Sequence, residues 1–266
     1  GVFGKWHLGD NYPFRPQDRG FDEVLIHGGG AIGNTPDYFG NDYFDDTYFH
    51  GNRPKKVTGY CTDVWFDSAM SFIKDCVQSD RPFFCYVPTN AAHGPYRVAE
   101  SYKQLYDSDP RVPNASFYGM ITNIDNNIAR LMRFLKDNHL EDNTILIFMT
   151  DNGSTFGAPR GKGFNAGMRG AKGSEYEGGH RVPCFIHWPA GSLTGPRDID
   201  TLTAHIDILP TLIDLCGLKK PAGPKLHGRS LKPLLYDRTG NWKDRVIVVD
   251  SQRMENLNKW RKCSVM

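Results

Sequence analysis

Short apolar runs alternate with longer amphipathic stretches along the chain, and their spacing predicts its secondary structure. Five short runs rich in β-branched and aromatic residues have the length of buried strands, at residues 24–26, 83–87, 145–149, 182–188 and 246–250. Helical spacing predicts three helices, from Thr62 to about residue 77, over residues 116–137, and over residues 207–216. Thr62 is placed to cap the first helix, and Gly217 to end the last.

This order of elements is typical of an α/β fold. Strands that alternate with helices favour a mostly parallel, mixed central sheet with helices on both faces. The 266 residues suffice for one sizeable domain with a buried core. We therefore predict a single α/β domain along the whole chain.

Residues 10–56 interrupt this pattern with a segment rich in glycine, proline, aspartate and aromatic residues. Loops this long in compact domains usually form lids or binding walls. The carboxylates of Asp42, Asp45 and Asp46 either bind a cation or form a solvated turn cluster, and we favour the turn cluster. Aromatic side chains of the segment either stack on a sugar or aryl ring or pack the segment onto the domain: Tyr38, Tyr43, Phe44, Tyr48 and Phe49.

Polar side chains follow two of the predicted strands where each strand ends. Asp151 and Asn152 come after residues 145–149, and His93 comes after residues 83–87. In open α/β sheets, ligands bind outside the carboxyl ends of the strands, which favours a shared cleft here. The oxygen atoms of Asp151 and Asn152 are hard ligands suited to a metal cation. A histidine before Gly-Pro is also compatible with a simple turn.

A glycine-rich basic loop containing Lys162, Arg169 and Lys172 follows Asp151 and Asn152. Glycine permits close backbone approach, and the basic side chains supply positive charge, so the loop suits a metal-bridged oxyanion. It matches neither nucleotide motif, because residues 161–167 carry one residue too many for GxGxxG and Gly163 stands where a P-loop has Ser or Thr.

Lys5 and His7 flank Trp6 near the start of the chain. In an extended segment, this spacing places both side chains on one face and the indole on the other. The alternative interpretation is a surface loop in which both side chains are merely solvated.

Composition excludes several classes of protein. The net charge of +2 gives no indication of a nucleic-acid or anionic-membrane surface, and no apolar run approaches the roughly 18 residues of a membrane span. The six cysteines lack CxxC spacing, which favours buried thiols over a disulfide framework or a zinc site.

Six blocks of the sequence resemble a known family: GVFGKWHLG, HGPY, TDNGS, MRGAKGSEYEGGHRVP, HIDILPTL and HGRSL. They are similar to successive blocks of the type I, formylglycine-dependent sulfatases (arylsulfatases) of the alkaline-phosphatase-like superfamily. The resemblance extends from Gly1 to about Leu235. It implies hydrolysis of sulfate esters by a calcium ion (Ca²⁺) and an aldehyde hydrate made from a cysteine or serine.

The resemblance also implies a role for each matching residue. Asp151 and Asn152 resemble the second pair of calcium ligands, and Lys172 resembles the lysine that holds the sulfate oxygens. His93 resembles the histidine that protonates the leaving alcohol. Lys5 and His7 resemble the pair that flanks the formylglycine, where Lys5 stabilises the oxyanion of the hydrate and His7 accepts a proton when sulfate is eliminated.

Two parts of the family pattern are missing from this sequence. No cysteine or serine stands in the C/S-x-P/A-x-R block that carries the nucleophile, and the first pair of metal-binding aspartates is absent. We interpret the 266 residues as an incomplete catalytic domain, truncated at both ends and inactive alone. The missing amino-terminal part is expected to supply a central strand.

The expected ligand is a sulfated small molecule or a sulfated glycan, while oligomeric state is not indicated. The resemblance implies a periplasmic or secreted enzyme. Three alternatives stay open: a phosphonate or phosphodiester hydrolase of the same superfamily, a non-catalytic protein that binds sulfated glycans, and an α/β domain whose polar strand ends are incidental.

Overall fold

The structure is a computed structural model that describes residues 1–155, 163–220, 222–238, 242–250, 252, 254–256 and 258–266. Lys162 of the basic loop lies outside these residues. The chain divides into two compact units. Unit 1 comprises residues 1–141 and 154–167, and unit 2 comprises residues 142–153 and 168–266.

The described part of unit 1 contains four strands and three helices. In chain order these are β1 Val2–Lys5, β2 Val24–His27, β3 Thr47–His50, β4 Arg53–Lys56, α1 Cys61–Gln78, α2 Glu100–Lys103 and α3 Ala115–Asp137. The strands form one mixed sheet in the order β1-β2-β3-β4, in which β1 and β2 are parallel and the later neighbours are antiparallel.

The two faces of this sheet pack into separate apolar clusters, as the two-residue period of a strand requires. Phe3 and Leu25 are buried in the cluster that contains Trp65 of α1. Val2 and Val24 are buried on the other face. Lys5 of β1 and His27 of β2 therefore share the α1 face with Phe3 and Leu25.

Helix α1 begins earlier than its predicted cap. Tyr60 is the N-cap residue, and Thr62 lies inside the first turn with its side chain fully buried. The prediction that Thr62 caps the helix is therefore wrong, because tertiary packing buries a side chain that sequence alone assigned to the end of the helix.

Helix α3 agrees with its predicted range, and the side chain of Asn114 caps it by accepting a hydrogen bond of 3.0 Å from the Phe117 backbone N–H. Its buried face includes Asn123 and Asn127, which both donate to the Asp63 carboxylate of α1, at 2.9 and 2.7 Å. Polar contacts therefore join α1 to α3, where the sequence predicted a purely apolar stripe.

The run at residues 83–87 is not a regular strand. It makes a single parallel bridge, from Tyr86 to Val2, and Phe84 is 59% exposed. The segment nevertheless runs beside β1, since the carbonyl oxygens of Tyr86 and Pro88 accept hydrogen bonds from Phe3 and Lys5 at 3.0 and 2.7 Å. Pro88 has no N–H to continue the ladder, which explains why regular pairing ends there.

The described part of unit 2 contains four strands and three short helices. In chain order these are β5 Leu146–Met149, α4 Glu177–His180, β6 Cys184–His187, α5 Ile208–Leu215, α6 Lys232–Leu235, β7 Val248–Asp250 and β8 Cys263–Val265. Both pairs, β5 with β6 and β7 with β8, are antiparallel. Phe185 of β6 and Val248 of β7 are exposed, so these runs are strands but not fully buried ones.

The predicted α/β class and mixed pairing are confirmed. Parallel pairing does not predominate among the described strands, however, because β1–β2 is the single parallel strand pair. Parallel neighbours need a crossover connection, usually a helix, and the described residues between β5 and β6 contain only the four-residue α4.

All six cysteines are free thiols. No helix in the described ranges is long and apolar enough to cross a membrane.

Candidate active site

Lys5 is the last residue of β1, and its backbone is fixed on both sides. Its register partner in the parallel strand β2 is His27, and its N–H donates to the Pro88 carbonyl at 2.7 Å. The chain that continues from Pro88 leads to His93. Unit 1 therefore connects the backbone of Lys5 directly to the segment that carries His93.

His7 lies outside the strand and has a left-handed backbone, with φ of 50°. A non-glycine residue in this region is uncommon and often marks a functional position. The ring of His7 packs against Gly30, where a Cβ atom would lie 2.9 Å from its Cε1. Trp6 packs on the sheet face opposite Lys5, as predicted. His7 does not continue the predicted extended segment, because the backbone turns at this residue.

Asp37 organises the glycine-rich loop that His7 contacts. Its carboxylate accepts hydrogen bonds from the backbone N–H groups of Gly28 and Gly33, at 3.1 and 2.8 Å, and from the side-chain amide of Asn41 at 3.1 Å. This one carboxylate therefore holds the surface against which the His7 ring rests.

The acidic cluster of the long excursion is structural. Asp46 is buried, and its carboxylate accepts hydrogen bonds from the backbone N–H groups of Asp42 and Tyr43 and from the Tyr48 hydroxyl, at 2.8, 2.9 and 2.8 Å. Asp46 is thus a turn residue, as predicted, but a buried one. Tyr43 and Tyr48 belong to the core, whereas Tyr38 and Phe44 are exposed, and the ring of Phe44 packs against that of Tyr60 with 5.1 Å between centroids.

His93 is exposed beside a buried polar support. Its N–H donates to the Asn90 carbonyl at 2.9 Å, and Asn90 is buried with its side-chain oxygen bonded to the Trp65 indole at 3.0 Å. The Nδ1 atom of His93 lies 2.6 Å from the Gly94 carbonyl oxygen. Because a carbonyl only accepts, Nδ1 carries a proton, and Nε2 is the nitrogen suited to exchange a proton with a ligand.

In unit 2, Asp151 and Asn152 follow β5 directly, as predicted. Asp151 is exposed, and the side-chain amide of Asn152 donates to the Gly153 carbonyl at 3.0 Å. Gly153 bonds through its N–H to the Gly179 carbonyl at 3.0 Å, and a Cβ atom at Gly153 would overlap the carbonyl oxygen of Gly178. Only glycine allows this approach, which attaches the end of β5 to α4. The Gly178 N–H of α4 donates to the Arg169 carbonyl of the basic loop at 2.8 Å.

Lys172 occupies the tip of a tight turn in that loop. The N–H of Ser174 donates to the Ala171 carbonyl at 2.9 Å, and the N–H of Ala171 donates to the Ser174 hydroxyl at 3.2 Å. Gly173 has φ of 81°, as position i+2 of a type II turn requires. The guanidinium of Arg169 lies 3.7 Å from the centre of the Tyr176 ring, so cation–π contact holds the other described basic side chain.

The Asp151 and Asn152 side chains fit calcium in kind but not in number. Their oxygens are ligands that calcium prefers, yet calcium takes about six to eight. Among the residues that the structure describes, no group of three or more His, Cys, Asp and Glu side chains is arranged to hold a metal. If calcium binds here, Asp151 and Asn152 would supply only part of its coordination shell.

Sequence reasoning assigned no role to His205 and Asp207 of the HIDILPTL block. Nε2 of His205 lies 2.8 Å from the Thr150 carbonyl oxygen, directly before Asp151. Asp207 is fully buried and forms an ion pair with Arg245, whose side chain is only 7% exposed. In the sequence, the charged Asp207 within the largely apolar HIDILPTL block was the signal that could have indicated a buried ion pair.

The Asp207 carboxylate also binds the backbone of the HGRSL block. The backbone N–H groups of Ala204 and Arg229 each donate to the Asp207 carboxylate at 2.8 Å. Burial raises the pKa of Asp207, but the hydrogen bonds from Arg245, Arg229 and Ala204 outweigh it and hold that pKa below its usual range. HIDILPTL and HGRSL therefore form one structural element around Asp207.

The six predicted site residues divide between the units. Unit 1 carries Lys5, His7 and His93, and unit 2 carries Asp151, Asn152 and Lys172. Lys5 and His93 are linked through the segment at Pro88. Gly153, next to Asn152, contacts α4, which bonds to the loop of Lys172. That all six act on one sulfate group stays a prediction.

Known proteins share both the sequence and the fold. Residues 1–218 match the family described as Sulfatase. The sulfatase YdeN of Escherichia coli strain K12 is 30% identical over 262 residues, covering 88% of this chain and 44% of that protein. N-acetylgalactosamine-6-sulfatase of Homo sapiens is 31% identical over 261 residues, covering 92% of this chain and 47% of that protein. The chain thus spans less than half the length of these two relatives.

The crystal structure of Ps i-CgsB in complex with k-i-k-neocarrahexaose is similar in fold, with a TM-score of 0.80 and 27% identity over 95% of this chain and 58% of that chain. The similarity confirms the predicted fold of the alkaline-phosphatase-like superfamily. Because the family match covers most of the sequence and includes all six predicted site residues, the chain belongs to the sulfatase family.

Proposed function

We propose that the full-length protein hydrolyses sulfate esters of sulfated glycans. Family membership supports the reaction class. The names of two similar proteins support the substrate class, because one is an N-acetylgalactosamine-6-sulfatase and the other was crystallised with a neocarrahexaose. The observation that carries the proposal is the contact of Gly153, after β5, with Gly178 and Gly179 of α4, because the Gly178 N–H in turn donates to the Arg169 carbonyl of the basic loop. These contacts connect the loop that carries Lys172 to the end of β5, where Asp151 and Asn152 offer hard oxygen ligands.

The reaction transfers a sulfuryl group, and the transition state spreads negative charge over the sulfate oxygens. Fixed positive groups that face this charge stabilise the transition state. In the proposed mechanism, the ammonium groups of Lys172 and Lys5 supply this stabilisation. The backbone of Lys172 is fixed by its turn, and that of Lys5 by the hydrogen bond from its N–H to the Pro88 carbonyl.

The two histidines move protons. His93 donates a proton from Nε2 to the leaving alcohol, since Nδ1 is already committed to the Gly94 carbonyl. His7 accepts a proton when sulfate is eliminated, from the position that its left-handed backbone and its contact with Gly30 impose. The formylglycine of the family supplies the nucleophile when present, and calcium offsets the charge of sulfate. Asp151 and Asn152 would hold part of the calcium coordination.

No cysteine or serine of the 266 residues stands in the formylglycine block. We therefore expect the isolated 266-residue polypeptide to have no sulfatase turnover. Detectable hydrolysis of an aryl sulfate by this polypeptide would refute that expectation.

The direct test compares kcat/KM of the full-length protein for a sulfated oligosaccharide and for the matched phosphate ester. We expect preference for the sulfate ester and a loss of roughly 100-fold to 1000-fold in kcat for Lys172→Met, as for removal of one oxyanion donor. Lys103→Met is the matched control, because Lys103 is a surface lysine that pairs with Glu100 and Asp107. Preference for phosphate indicates a phosphoesterase, and binding without turnover indicates a glycan-binding protein. Either result contradicts the proposal.

A further inference from the structure

His205 contacts the end of β5 from a position 55 residues further along the chain. Its Nε2 atom lies 2.8 Å from the carbonyl oxygen of Thr150, the residue directly before Asp151. Because a carbonyl oxygen only accepts a hydrogen bond, Nε2 carries the proton in this contact. The peptide group is planar, so a hydrogen bond that holds the Thr150 carbonyl also fixes the plane from which the Asp151 backbone continues.

The two predicted metal ligands lie between two fixed points of the backbone. On one side, His205 bonds to the Thr150 carbonyl. On the other side, the Gly153 N–H donates to a backbone carbonyl of α4 at 3.0 Å. The backbone of Asp151 and Asn152 is thus held at both ends, although the Asp151 side chain is exposed. A metal ion binds more tightly to ligands that are already held in place by neighbouring groups.

The backbone of His205 is itself held by a buried ion pair. His205 begins a short 3₁₀ turn that ends at Asp207. The Asp207 carboxylate is fully buried, pairs with Arg245 and accepts hydrogen bonds from two backbone N–H groups. Gly228 lies so close to the turn that a Cβ atom there would overlap one of its carbonyl oxygens. The exposed ring of His205 is therefore attached to a backbone that is packed and hydrogen-bonded.

We propose that His205 is a positioning residue that orients Asp151 and Asn152 toward a calcium ion. Because the ring of His205 is exposed, water replaces much of the hydrogen bond when the ring is removed. Loss of the bond should therefore affect the geometry of the two ligands more than the stability of the fold. The proposal rests on the proposed function for the importance of calcium to turnover. The effect of His205 on calcium affinity does not depend on whether the protein hydrolyses sulfate esters.

Calcium titration of the full-length protein by calorimetry tests this role. His205→Phe keeps an aromatic ring but lacks the donor, and we expect the dissociation constant for calcium to rise roughly 10-fold to 100-fold, as for loss of a group that orients a metal ligand. His205→Gln places an amide N–H close to the position of Nε2 and should recover most of the affinity. His205→Asn places its amide closer to the position of Nδ1 and should bind calcium as weakly as His205→Phe. His50→Phe is the control, because His50 pairs with Glu23 on the surface of unit 1.

Melting and turnover of the same variants separate positioning from a general loss of structure. Without calcium, His205→Phe should melt close to the wild-type temperature, and with calcium far above its raised dissociation constant it should regain most of its kcat for a sulfated oligosaccharide. Wild-type calcium affinity in His205→Phe, equal affinities in the Phe and Gln variants, or no calcium binding by the wild-type protein overturns the proposal. Calcium binding that depends on His205 in a protein without sulfatase turnover supports the positioning role and refutes the proposed function alone.

Discussion

The loop after β2 in unit 1 and the loop system after β5 in unit 2 hold their predicted site residues by different means. In unit 1, a side chain does the holding, since the Asp37 carboxylate gathers the glycine loop beside His7. In unit 2, backbone meets backbone, because Gly153 lies against Gly178 and bonds to Gly179.

This difference shows which substitutions each region tolerates. Where a side chain holds the site, loss of its acceptor oxygen leaves backbone N–H groups of the loop unpaired. Where backbones touch, addition of a single methyl group is the damaging change, and side chains such as Asp151 remain exposed for a ligand. The comparison predicts effects of different size and kind in the two units.

The largest expected effect is on the buried ion pair of unit 2. Arg245→Met leaves the Asp207 carboxylate buried without its charged partner, and breaking such a pair costs about 3–5 kcal/mol of unfolding free energy. Chemical denaturation measures this loss. Arg111→Met is the control, because Arg111 pairs with Asp109 on the surface and should cost less than about 1 kcal/mol. Equal losses in the two variants would show that side-chain pairing does not stabilise unit 2.

The next effect tests the backbone contact after β5. Gly153→Ala places a methyl group where the Gly178 carbonyl oxygen lies, and we expect a loss of about 1–3 kcal/mol in stability together with loss of turnover. Gly195→Ala should be harmless, because nothing lies within 4 Å of a Cβ atom at Gly195. Denaturant midpoints and kcat of both full-length variants provide the measurement. Wild-type behaviour of Gly153→Ala would remove the distinction between the two regions.

A smaller effect is expected at the carboxylate that organises the unit 1 loop. Asp37→Asn replaces one accepting oxygen by an amide nitrogen, so a backbone N–H of Gly28 or Gly33 loses its acceptor, at a cost of about 0.5–1.5 kcal/mol. Asp10→Asn, at an exposed position, is the control. Thermal melts report the change, and kcat should fall with it because His7 rests on this loop. Unchanged melting would mean that the loop is held by other contacts.

The smallest effect is the pH dependence that His27 contributes. Its pKa is lowered by burial and by Lys5 and His7, with Asp37 opposing, so the unfolded chain binds the proton more readily than the folded one. The contribution is fully present above the ordinary value of 6.5 and is lost as pH falls below it toward the lowered pKa. Melting temperatures from pH 4 to 8 should decline less steeply in His27→Gln than in the wild type. The same dependence of melting temperature on pH in the two proteins would contradict the lowered pKa of His27.

Sequence alone predicted much of the fold and the identities of the candidate site residues. The range of α3, the strand β5, and the placement of Asp151 and Asn152 after it followed from periodicity and from the rule for strand ends. The predicted strand at residues 83–87 failed because burial and pairing depend on neighbours that a local apolar run does not reveal.

The structural roles of polar residues were harder to predict. Asp207 has an ordinary local context, and its role arises from a partner far along the chain, Arg245. Asp37 bonds to residues nearby in sequence, but no periodic pattern marks these contacts. The left-handed backbone of His7 also has no sequence marker, so the predicted alternation with Lys5 could not anticipate it.

A double-mutant cycle in the full-length protein tests most directly whether residues of both units act on one sulfate group. Lys5→Met and Lys172→Met are measured alone and together by kcat/KM for a sulfated oligosaccharide. We predict a loss of roughly 100-fold to 1000-fold for each single variant, and a loss in the double variant that is clearly smaller than their product, because both groups stabilise the same transition state. Losses that multiply in full, or wild-type activity in either single variant, would contradict the account.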